Sequence, residues 1–175
     1  MDIALRSPKE TDSDALARLG RETFVDAFGD LYSTDDLSSY LDQTHSKAQI
    51  ALNIANPNLI YRLIVDKYDD RLLGYCKLSL EPGLDYDPGA ARLIELSQFY
   101  LRSELFGTGA ADQLMSWALG IAKQQSRDEI ILSVFSENVR AQKFYFRYGF
   151  EHIADTVFMV GNQADHEFLF LRKLS

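Results

Sequence analysis

The sequence predicts a mixed α/β (α+β) domain, in which one sheet is covered by helices. The first observation is the order of the predicted elements: one strand, two or three helices, three strands, a helix, a strand, a helix and two strands. This order is typical of a layered domain whose helices bury the apolar faces of a sheet. The second observation is that 175 residues contain no repeat, low-complexity segment or linker. We therefore expect a single domain over residues 1–175.

The first third of the chain predicts one strand followed by helices. IALRSP, at residues 3–8, is a short strand, and TDSD at 11–14 offers capping side chains for the first helix. Ser33 precedes a pair of aspartates that favour the positive end of a second helix. Residues 46–55 predict a third, short helix before an Asn-Pro turn.

The remaining chain predicts six strands and two helices. Runs of apolar and β-branched residues bounded by turn signals predict the strands at 59–65, 72–80, 91–101, 129–135, 150–160 and 167–171. Apolar residues at helical spacing predict one helix from Gly109 onwards and another over 139–148. An acidic loop containing Pro and Gly occupies residues 81–89.

Composition and charge exclude several classes of function. Hydrophobic residues make up 46% and charged residues 25% of the chain, as in an ordinary globular protein. The net charge of −8 argues against nucleic acid, because binding phosphates requires clustered Lys and Arg. No apolar run approaches the roughly 20 residues that span a bilayer, and the N-terminus does not resemble a signal peptide. The single Cys76 indicates a buried small side chain and a reducing, cytoplasmic setting.

Gly107 and Gly109 stand at the junction of a predicted strand and helix. A helix N-terminus presents unpaired N–H groups and partial positive charge, which together favour an anion. Glycine lets a phosphate approach the backbone without meeting a Cβ. The dinucleotide fingerprint does not fit, because Asp112 occupies its third small position, and a P-loop lysine is missing after Gly109. An ordinary structural turn remains the alternative at this stage.

A second motif follows about thirty residues later, in SENVRAQKFYFRYGFE. Asn138 stands where the strand ends, and Tyr145 lies seven residues further, about two helical turns along the same side of the helix. Two polar groups on one side suggest a shared target. The alternative is a helix-capping Asn and a Tyr that only packs.

Together these motifs resemble the GNAT superfamily of acyl-CoA-dependent N-acyltransferases. The later motif of that family matches Asn138, Ala141, Phe144, Tyr145, Gly149 and Phe150. Its pyrophosphate loop matches Phe106, Gly107, Thr108, Gly109, Ala110 and Ala111, although Phe106 replaces the usual Gln or Arg and removes one side-chain contact. The resemblance implies the GNAT fold, a mostly antiparallel central sheet with a splayed pair of parallel strands and flanking helices. It also implies acetyl-CoA as cosubstrate and no metal.

The resemblance assigns further roles near the splayed strand. It implies that the backbone of Phe99, Tyr100 and Leu101 contacts the cofactor, with the Leu101 N–H as oxyanion donor. Tyr145 is the expected general acid, since a phenol with a pKa near 10 keeps its proton at neutral pH. Glu95 is the expected base, directly or through water, and shares a face with Leu101 if the strand is regular; a bulge would reverse this. A packing Tyr145 and an exposed Glu95 are the alternatives.

Two acidic segments, residues 26–42 and 81–87, contain no Lys or Arg and are expected to flank the acceptor side. They favour a small cationic amine, and a weaker likeness to bacterial polyamine acetyltransferases favours a polyamine. Phe28 and Tyr32 are expected to contact it; the alternatives are rings that serve only the core and acids that only cap helices or belong to a solvated loop. His166 and Glu167 stand where that group more often has an aromatic and an aliphatic residue, which leaves the acceptor open.

Two alternatives, an open question about assembly and one exclusion complete the expectations from sequence. A protein or peptide N-acetyltransferase and a non-catalytic acyl-CoA-binding regulatory domain remain alternatives, and a homodimer is left open. His45, His152 and His166 lack the spacing of metal ligands and are expected to be non-catalytic.

Overall fold

The computed structural model describes residues 2–174, so the two terminal residues of the expected 1–175 domain lie outside the described range. The strands are β1 (Ile3–Arg6), β2 (Leu59–Asp66), β3 (Leu72–Ser79), β4 (Leu93–Leu101), β5 (Glu129–Phe135), β6 (Glu151–Val160) and β7 (Gln163–Lys173). The α-helices are α1 (Ser13–Phe28), α2 (Thr34–Thr44), α3 (Lys47–Ala55), α4 (Ala110–Gln124) and α5 (Val139–Arg147). The order of elements matches the prediction, while β1 ends earlier and β7 is longer than expected.

The seven strands form one sheet in the order β1-β2-β3-β4-β5-β7-β6. Only β4 and β5 run parallel, and every other neighbouring pair is antiparallel. The expected fold class, a mostly antiparallel sheet with one parallel pair and flanking helices, is therefore confirmed.

The parallel pair is splayed. Its ladder runs only from Leu93 to Glu95 on β4, opposite residues 129–131 of β5. From there to its end at Leu101, β4 is paired with β3 alone, so its other edge faces an open gap.

Strand β4 also carries a bulge. Lys77 is paired with Gln98 and Leu78 with Leu96, so Ser97 is an extra residue on β4. A bulge changes the alternation of side chains between the two faces of a sheet. Glu95 consequently points to the same face as Gln98, whereas Leu101 points to the opposite face.

Helices cover both faces. On one face, apolar side chains of β3 and β4 pack with Leu114, Met115 and Ala118 of α4 and with Tyr145 of α5. On the other face, Tyr75 and neighbouring side chains pack with α1 and α3. Cys76 is fully buried on the first face, as predicted.

The N-terminus of α2 is bound to the turn between β6 and β7. Ser33 caps the helix by accepting a hydrogen bond from the Asp36 N–H at 3.1 Å. The Asp36 carboxylate in turn accepts the Asn162 N–H at 2.8 Å, beside Gly161. This link holds the long hairpin against α2.

One predicted cap is wrong. Asp12 precedes α1 but makes no side-chain hydrogen bond to it. Its carboxylate accepts hydrogen bonds from Arg6 at 2.7 Å and from the Lys9 N–H at 2.6 Å, so it closes the turn before the helix. None of the helices within residues 2–174 is long and apolar enough to cross a membrane.

Candidate active site

A single large groove collects most of the residues that the sequence singled out. It is lined by the glycine turn, by the free end of β4, by α5, by the C-terminal part of α1 and by β7. The following twelve of the predicted site residues line it: Phe28, Tyr32, Glu95, Phe99, Tyr100, Leu101, Phe106, Gly107, Gly109, Ala111, Asn138 and Tyr145. Thr108 and Ala110 do not line it.

The glycine turn presents backbone donors to this groove. Gly107 and Gly109 have φ of +77° and +82°, which only glycine adopts without strain. A Cβ built on either residue meets no atom within 4 Å, so the backbone is open to a bulky group. Within the described residues, the N–H groups of Gly107, Gly109 and Ala111 have no protein acceptor. The turn and the start of α4 therefore fit a pyrophosphate.

Thr108 and Ala110 support the turn from inside. The Thr108 hydroxyl donates to the Leu105 carbonyl at 2.8 Å, which holds the side chain away from the groove. Ala110 is fully buried at the first position of α4.

A cation stands beside the turn in spite of Phe106. The Arg140 guanidinium lies over the Phe106 ring, 3.9 Å from its centroid, and both residues line the groove. Within the described residues, neither Arg140 nor Lys143 has a carboxylate within 4 Å, whereas Arg147 is paired with Asp112 at 3.1 Å. The side of α5 that faces the groove thus brings unpaired positive charge next to the backbone donors.

Strand β4 offers two backbone donors to the gap. The Arg102 N–H donates to the Leu73 carbonyl of β3 at 2.8 Å. Because successive N–H groups of a strand point to opposite edges, the N–H groups of Leu101 and Phe99 face the gap and that of Tyr100 faces β3. Tyr100 contributes only its ring to the groove.

Tyr145 lies on the side of α5 that packs against the sheet and is 8% exposed. Its ring contacts Phe99 and Phe150 edge to face, with centroids 6.4 Å and 5.7 Å apart. No protein group within the described residues hydrogen-bonds its hydroxyl. Burial raises the pKa of this phenol, and the nearby Cys76 and Glu167 add to the shift. The group is therefore protonated at neutral pH and free to donate.

Glu95 is held by the acidic loop, since its carboxylate accepts the Gly83 N–H at 2.7 Å. The expectation that it shares a face with Leu101 is wrong, because the bulge at Ser97 reverses the alternation. At about 3.3 Å per residue, Glu95 lies roughly 13 Å along the strand from Phe99 and further from Leu101. Proton transfer from an amine in the gap to Glu95 would therefore pass through water.

Asn138 is the N-cap of α5. Its side-chain oxygen accepts the Ala141 N–H at 3.1 Å, so this oxygen is already engaged. The capping role that the sequence left as an alternative is thus present, while the residue also lines the groove.

The aromatic side chains Phe28 and Tyr32 form part of the opposite wall. Phe28 contacts Phe135 edge to face, 6.1 Å between centroids. The Tyr32 hydroxyl donates to the buried carboxylate of Asp165. Burial raises the pKa of Tyr32, and the hydrogen bond to Asp165 adds to the shift.

The three histidines lie outside the groove lining. His45 is fully buried, its Nδ1 is 2.7 Å from the Thr44 hydroxyl, and burial lowers its pKa to about 4. His152 and His166 both contact the Asp155 carboxylate, at 2.8 Å and 3.0 Å, on the exterior of the hairpin. Residues 2–174 contain no cluster of side chains suited to a metal ion.

Several acids of the two predicted acidic segments form contacts outside the groove. Asp26, Asp30 and Glu81 line the groove. Asp42 is paired with Arg21 at 2.8 Å, and Asp36 is bound to the hairpin turn. The acidic segments thus supply only part of the negative charge.

Sequence reasoning missed several charged residues of the groove, of which Arg140 is described above and two more lie on the sheet. Lys77 of β3 is half-buried on the face of Glu95; burial lowers its pKa, and the charge of Glu95 opposes the shift. Asp165 is buried beneath Tyr32. Both positions lie on the groove face of their strands, but that face is evident only from the register of the sheet.

Comparison with known proteins identifies the class. Residues 21–150 match the family model described as acetyltransferase (GNAT) family. An uncharacterised N-acetyltransferase of Mycobacterium tuberculosis is 30% identical over 164 residues, covering 94% of this chain and 99% of that protein. The chain therefore belongs to the acetyltransferase (GNAT) family, and it is an acetyl-CoA-dependent N-acetyltransferase.

Two further matches, one of sequence and one of structure, are to Thermoplasma acidophilum. Its spermidine N(1)-acetyltransferase is 25% identical over 158 residues, covering 89% of this chain and 92% of that protein. The crystal structure of its PaiA N-acetyltransferase in complex with coenzyme A superposes with a TM-score of 0.78 at 22% identity, over 99% of both chains. At this level of identity, the structural similarity supports the fold alone.

Proposed function

We propose that this protein transfers the acetyl group of acetyl-CoA to a primary amine by direct attack in a ternary complex. We further propose that the acceptor is a small cationic amine such as a polyamine. The observation that carries the proposal is that one groove is lined both by anion-binding groups and by acids. The unpaired backbone donors and Arg140 are of the first kind, and Asp26, Asp30 and Glu81 are of the second.

The first group of residues would hold the cofactor. The N–H groups of Gly107, Gly109 and Ala111 would receive the pyrophosphate, and Arg140 would supply the positive charge that Phe106 cannot. The N–H groups of Phe99 and Leu101 face the gap, where they would bind the cofactor backbone and the acetyl oxygen.

The second group of residues would transfer protons. Acetyl-CoA supplies a thioester carbonyl that a neutral amine attacks. Tyr145 would donate its proton to the departing thiolate, since its hydroxyl has no hydrogen-bond partner among residues 2–174 and burial raises its pKa. The attacking nitrogen loses a second proton as the amide forms, and solvent would return a proton to the Tyr145 phenolate. Glu95, held by Gly83, would take up the proton of the incoming ammonium through water.

The acceptor is inferred from charge and from one relative. Eight acids lie in the segments 26–42 and 81–87, of which three line the groove. Negative walls attract a cation and repel an anion. The likeness to a spermidine N(1)-acetyltransferase, at 25% identity, points in the same direction.

The test is thiol release from acetyl-CoA with spermidine, butylamine, glycine and a peptide with a free N-terminus, at low and high salt. We expect the highest kcat/KM for spermidine and a smaller preference at high salt, because exposed charges are screened within about 10 Å. Equal values for all acceptors, or a preference for glycine or the peptide, would reject the cationic acceptor without affecting the family assignment.

A further inference from the structure

Glu167 of β7 is a carboxylate of the groove that has no cationic partner among residues 2–174. It is half-buried and lines the groove on the sheet face that meets α1 and α2. Within residues 2–174, no Lys, Arg or His nitrogen lies within 4 Å of its oxygens, unlike the carboxylates that form ion pairs on the surface. Burying a charge without a partner costs free energy, so a residue kept in this state suggests a ligand of opposite charge.

The neighbouring Asp165 shows the contrast. It is more deeply buried than Glu167, but its two oxygens accept hydrogen bonds from Tyr32 and, at 2.9 Å, from Gln163. Burial raises the pKa of Glu167; the Ser133 hydroxyl opposes this shift and Asp165 adds to it. A cation placed against Glu167 would remove the penalty.

Three tyrosines of the groove, Tyr32, Tyr40 and Tyr100, pack in one aromatic cluster on the face of Glu167. Glu167 is paired with Phe135 of β5, whose ring contacts Phe28 of this cluster. Burial is the main cause of the raised pKa of each of the three phenols, and the charge of Glu167 contributes to each shift. Aromatic faces attract alkylammonium groups, and they do so most strongly where water is displaced.

We infer that Glu167 is the specificity-determining carboxylate that holds a protonated ammonium group of the acceptor, beside the cluster of Tyr32, Tyr40 and Tyr100. The inference rests on the proposed function and names its acceptor-binding group. A charge-assisted hydrogen bond from the ammonium to Glu167 would supply affinity, and the rings would exclude neutral polar or anionic acceptors. Glu95, bound to the Gly83 N–H, is left for proton transfer.

The test compares Glu167→Gln with Glu151→Gln. Gln keeps the size of the side chain and removes its charge, and Glu151 is an exposed acid on the same hairpin, outside the groove lining. For Glu167→Gln we expect KM for spermidine to rise at least tenfold, kcat to stay within about threefold and the Kd for acetyl-CoA to stay unchanged. The calorimetric Kd for spermidine should rise in parallel. Glu151→Gln should behave like the parent.

Three outcomes would overturn the inference. A spermidine KM within twofold of the parent would show that Glu167 does not bind the acceptor. A large fall in kcat with an unchanged KM would assign it to proton transfer instead. If the parent protein neither binds nor acetylates spermidine or butylamine, the proposed acceptor class fails first, and the inference fails with it. The Tm of Glu167→Gln checks that this variant is folded. We expect it to be equal to that of the parent or higher, because the substitution removes an unpaired, half-buried charge.

Discussion

Tyr145→Phe separates the chemistry of the groove from its packing. The substitution keeps the ring that contacts Phe99 and Phe150 and removes only the hydroxyl. Within the described residues this hydroxyl has no protein partner, so the folded state loses no internal hydrogen bond. We expect the free energy of unfolding to change by no more than about 0.5 kcal/mol.

The effect on turnover should be far larger. Assistance by a general acid is typically worth about 10² to 10⁴ in rate, and a hundredfold loss corresponds to roughly 2.7 kcal/mol in the activation free energy. The predicted rise in the activation free energy is therefore about five times the largest expected change in the free energy of unfolding. Acetyl-CoA affinity should change little, because the N–H groups of Gly107, Gly109 and Ala111 remain in place.

The assay is steady-state thiol release at saturating acetyl-CoA, together with the Tm and the calorimetric Kd for acetyl-CoA. The pH profile adds a second readout. Because burial raises the pKa of Tyr145, the phenol keeps its proton across the neutral and mildly alkaline range. The parent should therefore show no fall in kcat from this group below pH 10. A kcat for Tyr145→Phe within about threefold of the parent would refute the assignment and leave a packing role.

Two further substitutions test the groove and the hairpin. Arg140→Gln should raise the Kd for acetyl-CoA about three- to tenfold, with a weaker salt dependence than the parent. The control is Arg18→Gln, at a residue paired with Asp14 on α1, which should leave the Kd unchanged. Equal affinities of the two variants would show that Arg140 does not contact the cofactor. Gly161→Ala should lower the free energy of unfolding by about 2 kcal/mol, or roughly 4–8 °C in Tm, because φ is +57° and the new Cβ would lie 2.7 Å from the Asp36 Cα. The control is Gly120→Ala in α4, where a Cβ meets nothing within 4 Å and Tm should stay unchanged or rise. A similar Tm for both variants would contradict the strain at Gly161.

Local patterns were sufficient to predict the elements of the fold. Ser33 and Ser46 each precede a helix and cap it, since both side chains accept the N–H three residues on. The glycine turn has the backbone conformation that its two glycines favour. Such features depend on neighbours in sequence, so they were visible without tertiary structure.

Features that depend on pairing between distant segments were not predictable. The bulge at Ser97 contains no Gly or Pro, and it arises from the register of β4 on β3. Arg140 of α5 lies over Phe106 of the glycine turn, so the cation beside this turn comes from a distant part of the sequence. Glu167 could be noted as unusual in sequence, but its place in the groove, opposite Phe135, comes from the sheet register.

The uneven charge of the groove has a consequence for the end of the catalytic cycle. Acetylation converts a protonated amine into a neutral amide, so an acceptor carries one positive charge fewer after the reaction than before it. Acids such as Glu167, Asp26 and Asp30 would therefore retain the substrate more tightly than the product. On the proposed function, the same negative wall that recruits the acceptor favours departure of the acetylated amine, and inhibition by accumulated product would be weak.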